Sequence, residues 1–238
     1  MNDLRFALRQ LVKNPGFTAV AVLTLALGIG VNTSMFSVLN TLLFQALPYP
    51  HSERLVRLFR TSPHSRSWPH SAANFLDYRE QNNVFDSLTA FRSSSYNLAE
   101  PGEATERLEG ARVTADFFPS MGVAPALGRV FSEEEDQPGN SQVVVLNDSL
   151  WMRRFGGDTN VVGRTLRLDG QSVTVIGVMP PGFEHPLLWG NIDLWRPMAF
   201  SQEQRLDRGN NGLQAFGRLK PGVPLTKAEA EMKAIAAR

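Results

Sequence analysis

A chain of 238 residues with 42% hydrophobic side chains holds enough apolar material for one or two packed domains. Its formal charge of +1 gives no reason to expect a nucleic-acid partner, and the absence of cysteine removes disulfides, thiolate metal sites and thiol nucleophiles together. Mean hydropathy is −0.18, a value typical of soluble proteins, but the apolar residues are unevenly distributed.

The first predicted element is a short amphipathic helix over residues 1–16. Leu4, Leu8, Leu11 and Val12 recur at helical spacing, with Arg5, Arg9 and Lys13 on the other side. Such a helix suits the headgroup layer of a bilayer, with its basic residues at the membrane interface. Those three cations against Asp3 place this end in the cytoplasm by the positive-inside bias. Pro15-Gly16 is then expected to break the chain before it enters the membrane.

Residues 17–47 are predicted to be a transmembrane helix. No Asp, Glu, Lys or Arg occurs between residues 14 and 50. As a helix, residues 17–44 would be roughly 42 Å long, more than the roughly 30 Å hydrocarbon core requires. Two rows of small or neutral polar residues run along it, Ala26, Gly30 and Ser34 on one face and Thr24, Gly28 and Asn32 on the next. Rows of this kind let a helix pack closely against partner helices in lipid. A cleaved secretory signal is the competing reading, but its apolar region should span about 7–15 residues and end in small ones. Here the run is longer, and Phe44, three positions before Leu47, makes a poor cleavage context.

Pro48-Tyr49-Pro50 ends the span, because proline cannot continue a helix and restricts its predecessor. The segment 55–59 then reads as a strand, and Asn74 as the cap of a helix running to about Asn82. A polar stretch from Arg92 to Glu103 is expected to be poor in strand and to lead into a second subdomain. Ser132 and Glu135 fit a capping box that opens a helix. Residues 143–146 read as a buried strand, followed by a helix from Asn147 or Asp148 that closes at Gly156-Gly157. Leu166 and Leu168, then Val173 and Val175, alternate on either side of Asp169-Gly170, a strong hairpin signal. Residues 214–219 form a last strand, turning at Pro221-Gly222. Thr226 with Glu229 makes a second capping box, and its helix runs to Arg238 without a stop signal, so the chain reads as truncated.

Few motifs carry chemistry. Gly28-Ile29-Gly30 lies inside the apolar span with no strand before it, which marks packing rather than a dinucleotide loop. There is no P-loop, GxSxG or HExxH pattern, so no enzyme or cofactor is indicated. His51, His64, His70 and His185 are expected at the surface, with no third ligand at a useful spacing. Asp158, Asn160, Gly163 and Asp169 imitate part of a calcium loop, but Val162 occupies a ligand position. Residues 133–136 are either a cation patch or a solvated helix start. Arg153 and Arg154 either bind phosphate or close a helix. Phe117, Phe118, Trp189 and Trp195 either line a groove or fill a core.

The opening LRFALRQLVKNPGFTAVAVLTLALGIGVNTSMFSVLNTLLFQALPYPHSERLVRL resembles the N-terminus of ABC-transporter permeases of the MacB/FtsX type, most of all the long duplicated branch. PGFEHP and GRLKPGVPLTKAEAEM resemble the later periplasmic region of the same proteins. The resemblance implies an α+β chain, with one N-terminal transmembrane helix and then a mixed α/β periplasmic domain. Residues 51–92 and 192–238 would form a split α/β subdomain, and 93–191 an inserted β-rich one. It further implies a bacterial inner-membrane location and a separate cytoplasmic ABC ATPase. The lipid bilayer and further permease helices would complete its surroundings. The chain would be the N-terminal part of a permease coupling ATP hydrolysis to periplasmic motion. A membrane-tethered binding or scaffold protein acting without an ATPase is the alternative.

Overall fold

A computed structural model describes residues 12–43, 47–62, 65–100, 102, 104–183 and 190–237. The chain divides into two compact units, Met1–Leu47 and Pro48–Arg238.

In the first unit, helix α1 (Pro15–Leu43) spans 29 residues, roughly 43 Å at the usual rise. Residues 12 and 13 are helical, Asn14 interrupts, and Pro15 opens α1, so the expected break falls one residue ahead of Pro15-Gly16. The first turn leaves its N–H groups unpaired in any case, and the fixed φ of proline suits that position. The Thr18 amide donates to the Asn14 carbonyl at 3.0 Å, so Asn14 supplies the first acceptor. From Pro15 to Ser37 the helix has a mean hydropathy of 1.8 and none of its residues is buried. Phe17, Val20, Leu23, Leu27, Ile29, Val31 and Phe36 are all exposed around its circumference. In water that much bare apolar surface would be strongly unfavourable.

The second unit is built on a nine-stranded mixed sheet in the order β1-β11-β4-β5-β10-β7-β9-β6, with β8 against β4 and β9. The strands are β1 (Leu55–Leu58), β4 (Phe85–Leu98), β5 (Glu106–Val113), β6 (Leu127–Gly128), β7 (Val143–Leu146), β8 (Thr165–Leu168), β9 (Gln171–Val178), β10 (Leu194–Pro197) and β11 (Gln214–Leu219). A separate ribbon pairs β2 (Arg60–Ser62) with β3 (Ser65–Trp68). The helices are α2 (Ala72–Gln81), α3 (Phe117–Met121), α4 (Asp148–Phe155), α5 (Gln202–Leu206) and α6 (Leu225–Ala236). Pairs β5·β10 and β7·β9 are parallel, and the other ladders are antiparallel. At the β8–β9 turn Asp169 and Gly170 have φ of 49° and 78°, the left-handed pair that a two-residue hairpin needs.

Strand alternation places successive side chains on opposite faces. On one face Phe75 of α2 and Ile235 of α6 pack with Leu88, Ala90, Met198 and Ala215. Further along the same face Leu150 of α4 packs with Leu98, Leu108, Leu146 and Leu194. The other face carries an aromatic cluster. Phe91 contacts Phe117 and Phe216, and Phe118 contacts Phe131, Phe183 and Trp195.

Four local expectations are corrected. Ser71, not Asn74, caps α2, its hydroxyl accepting from the Asn74 amide at 3.3 Å. The stretch after Arg92 is the second half of the 14-residue β4. Ser93, Ser95 and Asn97 point to solvent while Tyr96 and Leu98 are buried, so the period-two signal was present but masked by its polar partners. Ser132 and Glu135 do form reciprocal capping bonds, the Ser132 amide donating to Glu135 at 2.9 Å, yet only turns follow. Pro138 lacks the N–H that would carry a helix past the first turn. At α6 the first acceptor is the Pro224 carbonyl, and Thr226 makes no cap.

Candidate functional site

Along α1 the two rows are spaced so that each residue lies one turn above the last. The Thr24 hydroxyl donates to the Val20 carbonyl at 2.8 Å, and the Asn32 amide donates to the Gly28 carbonyl at 2.9 Å. Both polar side chains are therefore satisfied within the helix and can sit in hydrocarbon at little cost. A Cβ built on Gly28 or Gly30 would meet nothing within 4 Å. These glycines leave open surface, together with the exposed Ala26 and Ser34. Lys13 is exposed, while Arg5 and Arg9 lie outside the described residues.

In the second unit the polar side chains of interest sit where loops meet the sheet. Asp136 is buried, and its carboxylate accepts from the Ala115 amide at 3.1 Å and the Ala199 amide at 2.7 Å. Ala199 is held there at φ 45°, a strained value for a residue with a side chain. Burial raises the Asp136 pKa, against the pull of those two amides. Beside it, an open cleft is lined by Arg79, Asp86, Asp116, Pro119, Phe131 and Glu133, among others. Burial likewise raises the Asp116 carboxyl, with Arg79 at 3.8 Å opposing.

His70 is buried rather than at the surface. Its backbone bridges to Leu213, with N–H···O distances of 2.8 and 2.9 Å, and its Nε2 donates to the Leu58 carbonyl at 3.1 Å. The ring meets Tyr78 edge-on at 5.5 Å, and Nδ1 has no partner. Burial holds its pKa below 6.5, and Arg60 adds to that.

The remaining sequence candidates have local roles. Arg153 pairs with Glu106 at 2.9 Å and with Asp193 at 3.3 Å, and Arg154 with Glu100 at 3.4 Å. Asp158 caps a short turn, its carboxylate accepting from the Asn160 amide at 2.9 Å. Glu135 pairs with Arg129 at 2.7 Å. Phe117, Phe118 and Trp195 are core residues, whereas Trp189, His64 and His185 lie outside the described residues. No group of three His, Asp or Glu side chains could hold a metal ion among the described residues.

A helix long and apolar enough to cross a membrane, in one chain with a mixed α/β domain, defines a class: an extramembrane domain joined to a candidate membrane span. Residues 18–235 match the family model described as the MacB-like periplasmic core domain, and the chain belongs to this family, the periplasmic regions of MacB- and FtsX-like ABC permeases. The fold is similar to that of the periplasmic region of MacB from Actinobacillus actinomycetemcomitans, with TM-score 0.58, 18% identity, and 76% of this chain and 81% of that one covered. A domain of a putative permease from Porphyromonas gingivalis gives TM-score 0.58 and 20% identity over 78% and 82% of the two chains. The extracellular domain of the noncanonic ABC-type transporter YknZ from Gram-positive bacteria gives 0.52 and 12% over 74% and 88%. The search of curated proteins finds no match.

Proposed function

We propose that this chain is part of an ABC-transporter permease subunit that transmits the work of a separate cytoplasmic ATPase to its periplasmic domain. The observation that carries the reading is the long apolar α1 in the same chain as a MacB-like core domain. A helix rich in small residues is suited to pack on other permease helices and to move with them. Thr24, Ala26, Gly28, Gly30, Asn32 and Ser34 supply the packing faces, and Arg5, Arg9 and Lys13 hold the N-terminal end at the cytoplasmic surface of a bacterial inner membrane. Residues 51–92 with 192–238, and residues 93–191, act as two subdomains of the periplasmic part. The separate hydrophobic clusters around Phe75 and Leu150 support that division. ATP is hydrolysed by the partner chain, and this chain supplies motion for efflux or export.

The test is hydrogen exchange of the full-length protein in inner-membrane vesicles, with and without ATP and vanadate. Changed exchange in the segments of residues 48–238 is expected. Identical exchange under both conditions would favour a tethered binding or scaffold protein that works without an ATPase.

A further inference from the structure

The face of the sheet that carries both hydrophobic clusters is interrupted between them. On β4, Ala90 belongs to the first cluster and Tyr96 to the second; Met198, just past the end of β10, belongs to the first and Leu194 on β10 to the second. The positions between are Arg92 on β4 and Arg196 on β10, and β5 places Arg112 between them. The register pairs Arg92 with Arg112 and Arg112 with Arg196. Residues directly opposite one another in adjacent strands share a face, so three arginines stand side by side across three strands. Two strand spacings make the row roughly 10 Å long.

Three like charges in such a row repel one another, and sheets place acids or neutral residues there unless something compensates. Acids are available elsewhere in this domain. Arg54 pairs with Asp86, Arg129 with Glu135, Arg153 with Glu106, and both Arg154 and Arg164 with Glu100. Arg92, Arg112 and Arg196 make no ion pair among the described residues. Asp207 shares a hollow with Arg92, Gln204 and Asn210, and Asp169 acts on Arg196 through its charge without an ion pair. The Asp207 Oδ1 is engaged by the Gly209 amide at 2.7 Å and the Asn210 amide at 3.2 Å.

A second observation points the same way. Arg196 is 3% exposed and Tyr96 is 4% exposed, yet Arg196 Nε and the Tyr96 hydroxyl are both buried without a partner. Arg196 is fixed by a bond from Nη2 to the Ser141 carbonyl at 3.2 Å, and its guanidinium lies 5.6 Å from the centre of the Tyr96 ring. Gly110 gives that ring its room, since a Cβ there would lie 2.7 Å from it. Two orphaned donors thus lie at the row, whose other members Arg92 and Arg112 are half-exposed. Buried donors without acceptors are rare in native proteins and call for a specific physical reason.

We propose that this arginine row between the two hydrophobic clusters is a binding site for a multiply charged oxyanion of the phosphate class. Guanidinium groups present paired N–H donors that match phosphate oxygens. The half-exposed pair admits the anion, and Arg196 with Tyr96 completes its hydrogen bonds. Its position at the seam between the clusters would let the bound anion tie the two together.

The test uses the full-length chain in neutral detergent, at ionic strength held constant with sodium chloride. Inorganic phosphate and the short-chain lipid dihexanoylphosphatidate are titrated separately, and thermal midpoint and calorimetric binding are read. Binding is expected for the wild type and at least tenfold weaker binding for Arg112→Gln and for Arg92→Gln. Both residues are half-exposed, and removing either charge should leave the ligand-free midpoint unchanged or raised. Equal response to the two probes assigns a free phosphate, and preference for the lipid assigns a headgroup. No binding by the wild type, or equal binding by wild type and both variants, would overturn the proposal.

Discussion

Gly110 shows how one missing methyl group shapes this sheet. It lies between Ser94 and Leu194 in register, and a Cβ there would come within 2.7 Å of the Tyr96 ring and 3.1 Å of Leu194. The ring cannot withdraw, because it is packed among the buried residues of the second cluster. Gly110→Ala is therefore expected to destabilise the domain by about 1–3 kcal/mol, as overpacking commonly does, measured by urea denaturation in detergent. His70 works through charge rather than volume. Its folded-state pKa is depressed below 6.5, so between that depressed value and 6.5 the unfolded chain binds more protons than the folded one. Stability on this account is fully present above pH ~6.5 and is lost as the pH falls from there through the depressed folded-state value. Thermal melts from pH ~8 to ~5 should show this decline, and His70→Gln should flatten it. An undiminished decline in the variant would assign it to other groups.

At the scale of elements, α1 separates intrinsic from extrinsic stability. Its backbone is helical throughout, and Thr18, Thr24 and Asn32 bond to carbonyls of the preceding turn. Replacing Gly28 and Gly30 together with leucine meets no clash inside the chain, and leucine is the better helix former. The helix itself should remain intact by circular dichroism. Assembly with partner helices, read by cross-linking yield in the full-length permease, should fall several-fold, since bulk at a small-residue row keeps backbones apart. Unchanged cross-linking would remove the packing role. The sheet elements follow a different rule. In β4 three of the solvent-side residues are Ser93, Ser95 and Asn97, poor strand formers, yet the strand persists because β11, β5 and β8 all pair with it. Tertiary pairing overrides local propensity here.

For the molecule as a whole, the solvent around α1 decides everything else. After gentle lysis without detergent the intact polypeptide should sediment with membranes, and it should leave them only when detergent replaces lipid around residues 15–37. Recovery in the soluble fraction would remove the transmembrane reading.

The residues carried much of this organisation openly. The charge-free stretch after Lys13, the Asp169-Gly170 hairpin, the buried strand 143–146 and the Gly156 stop all follow from short-range rules of charge, turn conformation and capping. The capping box at Ser132 was legible too, but its outcome was not. Whether one helical turn continues depends on Pro138 and on Asp136 being drawn inward to two distant amides. Only the fold could place Arg92, Arg112 and Arg196 in one row, since they lie 20 and 84 positions apart in sequence and strand register alone brings them together. It also decided that His70 and Asp136 would be buried, for burial belongs to what packs over a residue and not to the residue itself. Local chemistry determined the long apolar helix and most turns, while long-range pairing determined which charged groups must live without water.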